Sequence, residues 1–276
     1  MYKQIENILI CPATLGALTY DETNHHYKTQ NGTIYPIVNG IIDFLPDLSD
    51  SNKNCKDNIA DAYDSLSSDY DNFLTSQSFL TKIYNLFFRG FVSDDFAYKT
   101  VDFIPDDTKG VLLDVPVGTG LFTVQKYKKL KNATILVIEY SMNMLLKTQQ
   151  RFKAHNIDNV YYIRADMSQM PFKEDTIDTL LTMNGFHALA RKDRALEEVN
   201  RILKPAGQLS GCFYIKGKRR LTDIFVKFVH EKKGWFTGPF YTEKSFDRKF
   251  GEFFKFYEKL FFKPIILFNT KSKKGC

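Results

Sequence analysis

The 276-residue sequence predicts an α/β fold: a mostly parallel sheet with helices on both faces. Three observations carry that prediction. From Gly110 onward, short β-branched runs alternate with stretches of helical period. The first of these runs ends in a glycine turn, Val117-Gly118-Thr119-Gly120, that opens a helix. The composition, 43% hydrophobic and 25% charged, is that of an ordinary globular chain and excludes disordered or collagen-like ones.

The elements follow in order. Residues 1–46 read as a small β-rich unit, because two β-branched runs flank Asn31-Gly32, a strong turn pair. Residues 47–56 are polar and read as a linker. Residues 57–104 are helical in pattern, with Ala62, Tyr63, Leu66, Tyr70, Phe73 and Leu74 at helix spacing. Residues 105–276 form the main unit. Its strands are expected at 111–115, 133–139, 160–163, 176–183 and 208–215, with helices at 119–131, 141–155 and 191–203. Residues 254–262 and 264–272 are close in sequence and predict an antiparallel pair at one sheet edge.

Several classes are excluded. No run approaches the roughly 18 apolar residues of a membrane span. The first residues, Met1-Tyr2-Lys3-Gln4-Ile5-Glu6, do not read as a secretory signal. Cys11, Cys55, Cys212 and Cys276 are scattered, with no CxxC pair, so neither a disulfide framework nor a redox motif is expected. A reduced, cytoplasmic protein is the expectation. Charge is uneven: residues 1–203 hold 21 Lys/Arg against 26 Asp/Glu, and residues 204–276 hold 17 against 6. Thirteen of the 25 phenylalanines lie between Phe213 and Phe268. Such an end faces an anionic partner, or it is a lysine-rich surface over a phenylalanine core.

The chemistry concentrates in Leu113-Asp114-Val115-Pro116-Val117-Gly118-Thr119-Gly120. In an open parallel sheet, ligands bind beyond the carboxyl ends of strands. Glycine there lets the backbone approach a ligand. The dinucleotide fingerprint GxGxxG does not fit. The segment follows Asp/Glu-x-Gly-x-Gly-x-Gly instead, with Pro116 in the first glycine slot. Five further segments match in order: Val137-Ile138-Glu139-Tyr140-Ser141; Ser141-Met142-Asn143-Met144-Leu145; Arg164-Ala165-Asp166 through Pro171-Phe172; Asp175-Thr176-Ile177-Asp178; and Glu198-Val199-Asn200-Arg201 through Pro205-Ala206-Gly207.

With these motifs, residues 57–270 resemble the class I S-adenosylmethionine-dependent methyltransferases. The resemblance implies a Rossmann-like, mostly parallel seven-stranded sheet. It implies S-adenosylmethionine as cofactor, S-adenosylhomocysteine as product, and no metal. Asp114 would hold the ammonium end, directly or through water. Pro116, Gly118, Thr119 and Gly120 would pass beneath the methionine and ribose. Glu139 would accept from the ribose hydroxyls, Tyr140 would flank the adenine, and Met144, in the family's small-x-x-Met-Leu pattern, would also border the cofactor. Asp166 would accept from the adenine amine, with Met167 and Asn184 nearby.

Residues 61–71, with Tyr63 and Tyr70, resemble the family's helical lid. The resemblance implies that Tyr70 would reach the cofactor carboxylate and Tyr63 would line the acceptor side. An amphipathic helix with two buried tyrosines is the competing reading. His187, just past the fourth strand, stands where donor and acceptor meet; it reads as a general base or as a positioning residue. Phe236 and Tyr241 read as acceptor-pocket walls or as core.

Residues 10–45 resemble a zinc ribbon with most ligands replaced: Cys11 remains, Thr14 fills the second cysteine slot, and Lys28 and Asn31 lie near the others. Tetrahedral zinc wants four N or S ligands, and His25 and His26 stand at unfamiliar spacing. The expectation is a metal-free remnant. The expected function is methyl transfer to a small-molecule acceptor. The alternatives are an rRNA or tRNA base methyltransferase and a non-catalytic S-adenosylmethionine-binding protein.

Overall fold

A computed structural model describes residues 2–45, 95–232 and 234–275. The expected linker and most of the helical lid, including Tyr63 and Tyr70, lie outside the described residues.

The amino-terminal unit begins with a 3-10 helix, Tyr2–Ile8. Four strands follow: β1 (Leu18–Asp21), β2 (His26–Thr29), β3 (Ile34–Val38) and β4 (Ile41–Asp43). The run from Thr33 to Ile42 is broken by Asn39-Gly40, both at positive φ (+52° and +80°). Two successive left-handed residues make the tight turn whose twist suits a hairpin. One apparent strand therefore becomes two, β3 and β4.

The described end of the helical stretch expected at 57–104 forms α1 (Asp95–Val101), and the main unit then opens with β5 (Gly110–Asp114), α2 (Val124–Tyr127), β6 (Ala133–Glu139) and α3 (Met142–Ala154). It continues through β7 (Val160–Arg164), β8 (Ile177–Met183), α4 (Lys192–Ile202) and β9 (Leu203–Tyr214). It closes with α5 (Arg220–Phe225), α6 (Glu243–Phe253), β10 (Phe254–Phe262) and β11 (Ile265–Ser272).

The sheet order is β1-β2-β3-β4-β7-β6-β5-β8-β9-β11-β10. The seven strands from β7 to β10 are the predicted Rossmann-like sheet, and β5 through β9 pair in parallel. The terminal pair is antiparallel, as its close spacing requires. The amino-terminal strands continue the same sheet, because β4 pairs in parallel with β7.

Alternation explains why both faces are covered. Leu112, Ile135 and Val137 point to one face, against Val124, Tyr127, Leu145 and Phe152 of α2 and α3. Leu113, Leu136 and Ile138 point to the other, against Ala195, Leu196 and Val199 of α4, Phe246 and Phe250 of α6, and Ile5. Successive strand residues face opposite sides, so both must be apolar where both sides carry helices. Phe213, Phe246, Phe250, Phe254 and Phe268 are fully buried, which places much of the phenylalanine-rich third in the core.

Two boundaries depart from expectation. The helix expected at 119–131 shrinks to Val124–Tyr127, because Gly118 and Gly120 sit at φ +59° and +66°. Left-handed residues cannot continue a right-handed helix. Strand β9 begins at Leu203 instead of residue 208. Its register against β8 jumps between the pairs Ile177–Leu203 and Thr179–Gln208, so residues 204–207 form an irregular loop inside the strand.

Candidate functional site

The site is built at the carboxyl ends of β5, β6, β7 and β8. Asp114 ends β5 and is completely buried. Its Oδ2 accepts from the Tyr127 hydroxyl at 2.9 Å. Its Oδ1 has no hydrogen-bond partner among the described residues. Burial pushes its pKa up to about 7; the Tyr127 and Thr123 hydroxyls oppose the rise and the Glu139 carboxylate adds to it. A buried carboxylate oxygen without a partner costs free energy that a cationic ligand group would relieve.

The glycine turn follows. A Cβ at Gly118 would meet nothing within 4 Å, so this position faces open space. A Cβ at Gly120 would stand 2.6 Å from Cε1 of Phe152, so this glycine lets the turn lie against α3. The two glycines thus do different work at similar φ. Gly120→Ala should lower the unfolding free energy by about 1–3 kcal/mol through overpacking. Gly118→Ala should cost only the backbone strain of about 1 kcal/mol, while filling the space beside the turn. Thermal denaturation of the two variants checks this; equal melting temperatures would mean that Phe152 yields.

The turn is anchored from several sides. Thr148 Oγ1 donates to the Gly118 carbonyl at 2.6 Å, and Arg151 donates to the Thr119 carbonyl. Glu139, at the end of β6, accepts from the backbone N–H groups of Gly118 (3.0 Å), Tyr140 (2.8 Å) and Ser141 (3.1 Å). One carboxylate therefore ties the first turn to the second. Ser141 caps α3 by accepting from the Met144 N–H at 3.2 Å, and Met144 itself is buried. Pro116 packs over Gly185: a Cβ there would lie 2.4 Å from the proline Cδ.

Asp166 follows β7. Its Oδ1 accepts from the Ser168 N–H and hydroxyl, both at 2.7 Å, and its Oδ2 pairs with Arg191 at 3.0 Å. Met167 is buried beside it. The loop is stapled from α4. Glu198, buried, accepts from the Met170 N–H at 3.0 Å and from Arg201 at 2.7 and 2.9 Å. Arg201 also donates to the Phe172 and Met170 carbonyls. The amino-terminal unit holds the same loop from its other side. Ile10 N–H donates to the Pro171 carbonyl at 3.1 Å, Gln169 to the Pro12 carbonyl at 2.7 Å, and Arg164 to Asp43 at 3.0 Å.

Past β8, Asn184 sits at φ +57° and donates its N–H to the Cys212 carbonyl at 2.7 Å. His187 is buried and stacks on Phe236, with ring centroids 3.9 Å apart. Its Nδ1 lies 3.3 Å from the Tyr214 N–H. A backbone N–H pointing at Nδ1 makes that nitrogen the acceptor, so the neutral ring carries its proton on Nε2. This arrangement leaves Nε2 of the neutral ring as a hydrogen-bond donor. Phe236 also packs on His230 (4.6 Å) and Tyr214 (5.8 Å).

Tyr241 packs in the core around Phe213 and Phe250, in a different cluster from Phe236, and its hydroxyl donates to Asp193 at 3.0 Å. Sequence reasoning missed Lys192. Its ammonium is buried and donates to the carbonyls of Leu189 and Thr237, joining the segment after β8 to the segment holding Phe236. Burial pulls its pKa down to about 8. Only an i, i+1 pairing with Asp193 was visible, and that carries no such signal.

The ribbon-like segment shows no convergence of ligands. Cys11 Sγ lies 3.0 Å from the Tyr35 hydroxyl, His25 Nδ1 lies 3.1 Å from the Tyr20 hydroxyl, and His26 faces Asp21. Among the described residues, no three His, Cys, Asp or Glu side chains gather as a metal site.

Residues 112–207, from β5 into β9, match the family model described as a methyltransferase domain. They include Asp114, the glycine turn, Glu139 and Asp166. The chain carries a class I S-adenosylmethionine-dependent methyltransferase domain.

The domain is similar to the ubiquinone/menaquinone biosynthesis C-methyltransferase UbiE of Blochmanniella pennsylvanica: 34% identical over 101 residues, 36% of this chain and 40% of that protein. It is also 26% identical over 132 residues to an uncharacterized chloroplastic methyltransferase of Arabidopsis thaliana, covering 46% of this chain and 38% of that one. The chain thus spans about two fifths of the length of these relatives. One solved structure with this methyltransferase fold is the complex between the Haloferax volcanii Trm112 methyltransferase activator and a methyltransferase. It matches with a TM-score of 0.60 and 13% identity, over 79% of this chain and 99% of that one. A methyltransferase from Thermotoga maritima matches with a TM-score of 0.56 and 17% identity, over 78% and 100%.

Proposed function

We propose that this chain transfers the methyl group of S-adenosylmethionine to a small, largely apolar acceptor. The observation that carries the reading is Asp114 Oδ1, a buried carboxylate oxygen without a partner at the end of β5, on the strand that leads into the turn whose Gly118 faces open space. S-adenosylmethionine brings an ammonium, a ribose and an adenine, and this chain offers groups for each. Asp114 meets the ammonium, directly or through water. Pro116, Gly118, Thr119 and Gly120 bring backbone close to the methionine and ribose. Glu139 borders the ribose, Tyr140 flanks the adenine with Met144 behind it at the start of α3, and Asp166 with Met167 borders its amine. Asn184 closes the site at the end of β8.

The cofactor, when bound, supplies an electrophilic methyl carbon on a sulfonium. With Asp114, the turn from Gly118 to Gly120, Glu139 and Asp166 holding the cofactor, that methyl carbon would be open to an electron pair of the acceptor. The protein's share is alignment, which by itself supplies a large part of the barrier reduction. His187, held by Tyr214 and Phe236, acts as a positioning donor to the acceptor. The His187 ring stacked on Phe236, with His230 tilted against the same ring, favours an apolar or amphiphilic acceptor. The UbiE-like relatives, named for quinone biosynthesis, support the same class.

The test is S-adenosylhomocysteine release across quinols, phenols, other small metabolites and short RNAs. Release driven by a small apolar acceptor is expected. Release driven by RNA alone overturns the acceptor class, and calorimetry without S-adenosylmethionine binding overturns the whole reading.

A further inference from the structure

The helical stretch from Arg220 to His230 is two-faced. It runs through α5 and continues as a π-helical turn, Val226–His230. Thr222, Val226 and His230 are buried, and His230 packs on Phe236 of the proposed acceptor pocket. The outer face carries Leu221, Ile224 and Phe228, which are 57%, 47% and 57% exposed. These three stand at i, i+3 and i+7, one side of a helix. A contiguous apolar stripe of this kind on a soluble domain marks a contact surface.

The rim of the stripe is cationic. Arg220 and Lys227 are exposed beside it, and the ammonium groups of Lys227 and Lys232 lie 5.8 and 6.0 Å from the Phe228 ring. The stretch has one carboxylate of its own, Asp223. It is turned inward, accepting from the Tyr214 hydroxyl at 2.6 Å and from the Gly217 N–H at 3.0 Å. Glu231, just past the helix, is exposed, with its Oε1 2.9 Å from where a Cβ at Gly238 would stand. An apolar face rimmed by Lys and Arg is the signature of a helix lying in the interface of an anionic bilayer.

We infer that Leu221, Ile224 and Phe228, rimmed by Arg220, Lys227 and Lys232, dock this protein on an anionic lipid surface. This goes beyond the methyl-transfer reading and does not depend on it. The helix would lie flat, with its apolar side chains among the acyl chains and its cations at the headgroups. Its inner face carries the packing that leads through His230 and Phe236 to His187.

The test is co-sedimentation of the full chain with vesicles of phosphatidylcholine alone or mixed with phosphatidylglycerol. Retention on the anionic vesicles only, and release in about 0.5 M salt, are expected. The variant Leu221→Ser, Ile224→Ser, Phe228→Ser should lose at least about tenfold in retention. Each of Arg220→Gln, Lys227→Gln and Lys232→Gln should lose about fivefold. The chain has one tryptophan, Trp235, whose ring lies 5.4 Å from that of His230. Its emission should shift on the anionic vesicles and not on the neutral ones. All the substituted side chains are exposed, and circular dichroism confirms that each variant is folded. No retention on either vesicle overturns the inference. So does retention unchanged in the triple serine variant, or a concentration-dependent dimer that the serine variant abolishes while neither protein binds lipid. Salt-sensitive retention of RNA through the same six residues, without lipid binding, also overturns it.

Discussion

Asp114→Asn should weaken S-adenosylmethionine binding by about 1.5–3 kcal/mol, roughly ten- to 150-fold, the range for a hydrogen bond to a charged group. The fold should survive, because an asparagine Oδ1 still accepts from the Tyr127 hydroxyl that now meets Asp114 Oδ2. The pH dependence separates the two effects. The folded pKa of Asp114 is about 7, against about 3.9 in an unfolded chain. Between those values the native state holds a proton that the unfolded state has released. The stability this proton provides is complete below about pH 4 and is lost as pH rises through 7. Cofactor affinity runs the other way, since the ammonium needs the carboxylate. It should climb as pH rises from about 6 to about 7.5, with net proton release on binding. The asparagine variant should bind weakly with no such slope, while its unliganded melting temperature at pH 7 holds or rises. Calorimetry in two buffers of different ionisation enthalpy measures the proton directly. A wild type that binds with no slope and no proton release would remove Asp114 from the ammonium role.

Glu198→Ala should be the more damaging change to stability. Glu198 lies in the buried seam between α4 and the loop that follows β7, where it accepts from Arg201 and the Met170 N–H. Removing it leaves the Arg201 guanidinium with only the Phe172 and Met170 carbonyls, and leaves the Met170 N–H without its acceptor. Breaking a buried pair from one side costs about 3–5 kcal/mol. In a chain of this size that is a fall of about 10 °C in melting temperature. The loop carries Asp166, so cofactor affinity should fall as well. Glu198→Gln keeps an acceptor for Met170 and should recover part of both losses. Differential scanning calorimetry and cofactor titration of the two variants read the outcome. A melting temperature within about 2 °C of wild type would mean that Arg201 alone holds the loop.

The parts of the site that were readable in sequence share one property: each is a local pattern whose chemistry depends on a few consecutive residues. Asp114 to Gly120 is a strand end followed by two left-handed positions, and glycine writes those in the sequence. Glu139 ends a seven-residue strand found where it was expected, 133–139. The long-range partners were not readable. Tyr127 meets Asp114 because α2 folds back over β5. Lys192 acquires its role from carbonyls on two segments, one of them 45 residues away. Tyr241 and Phe236 are close in sequence and equally aromatic, yet they fall in different core clusters. The orientation of a turn decides which of the two clusters each ring joins, and composition does not record it.

The sequence alone determined the α/β class, the alternation of strands and helices after Gly110, and the glycine turn after β5. It could do so because strand period, helix period and glycine conformation are local properties of the chain. The tertiary structure alone decided three things. Parallel pairing of β4 with β7 carried the amino-terminal strands into the main sheet, and no short-range signal encodes which strand lies beside which. The phenylalanine-rich third sorted into buried rings such as Phe213 and Phe250 and exposed apolar side chains such as Leu221, Ile224 and Phe228, because a residue's burial depends on what packs over it. The Tyr214 N–H chose the acceptor nitrogen of His187, a choice that exists only once β9 lies beside the segment that follows β8.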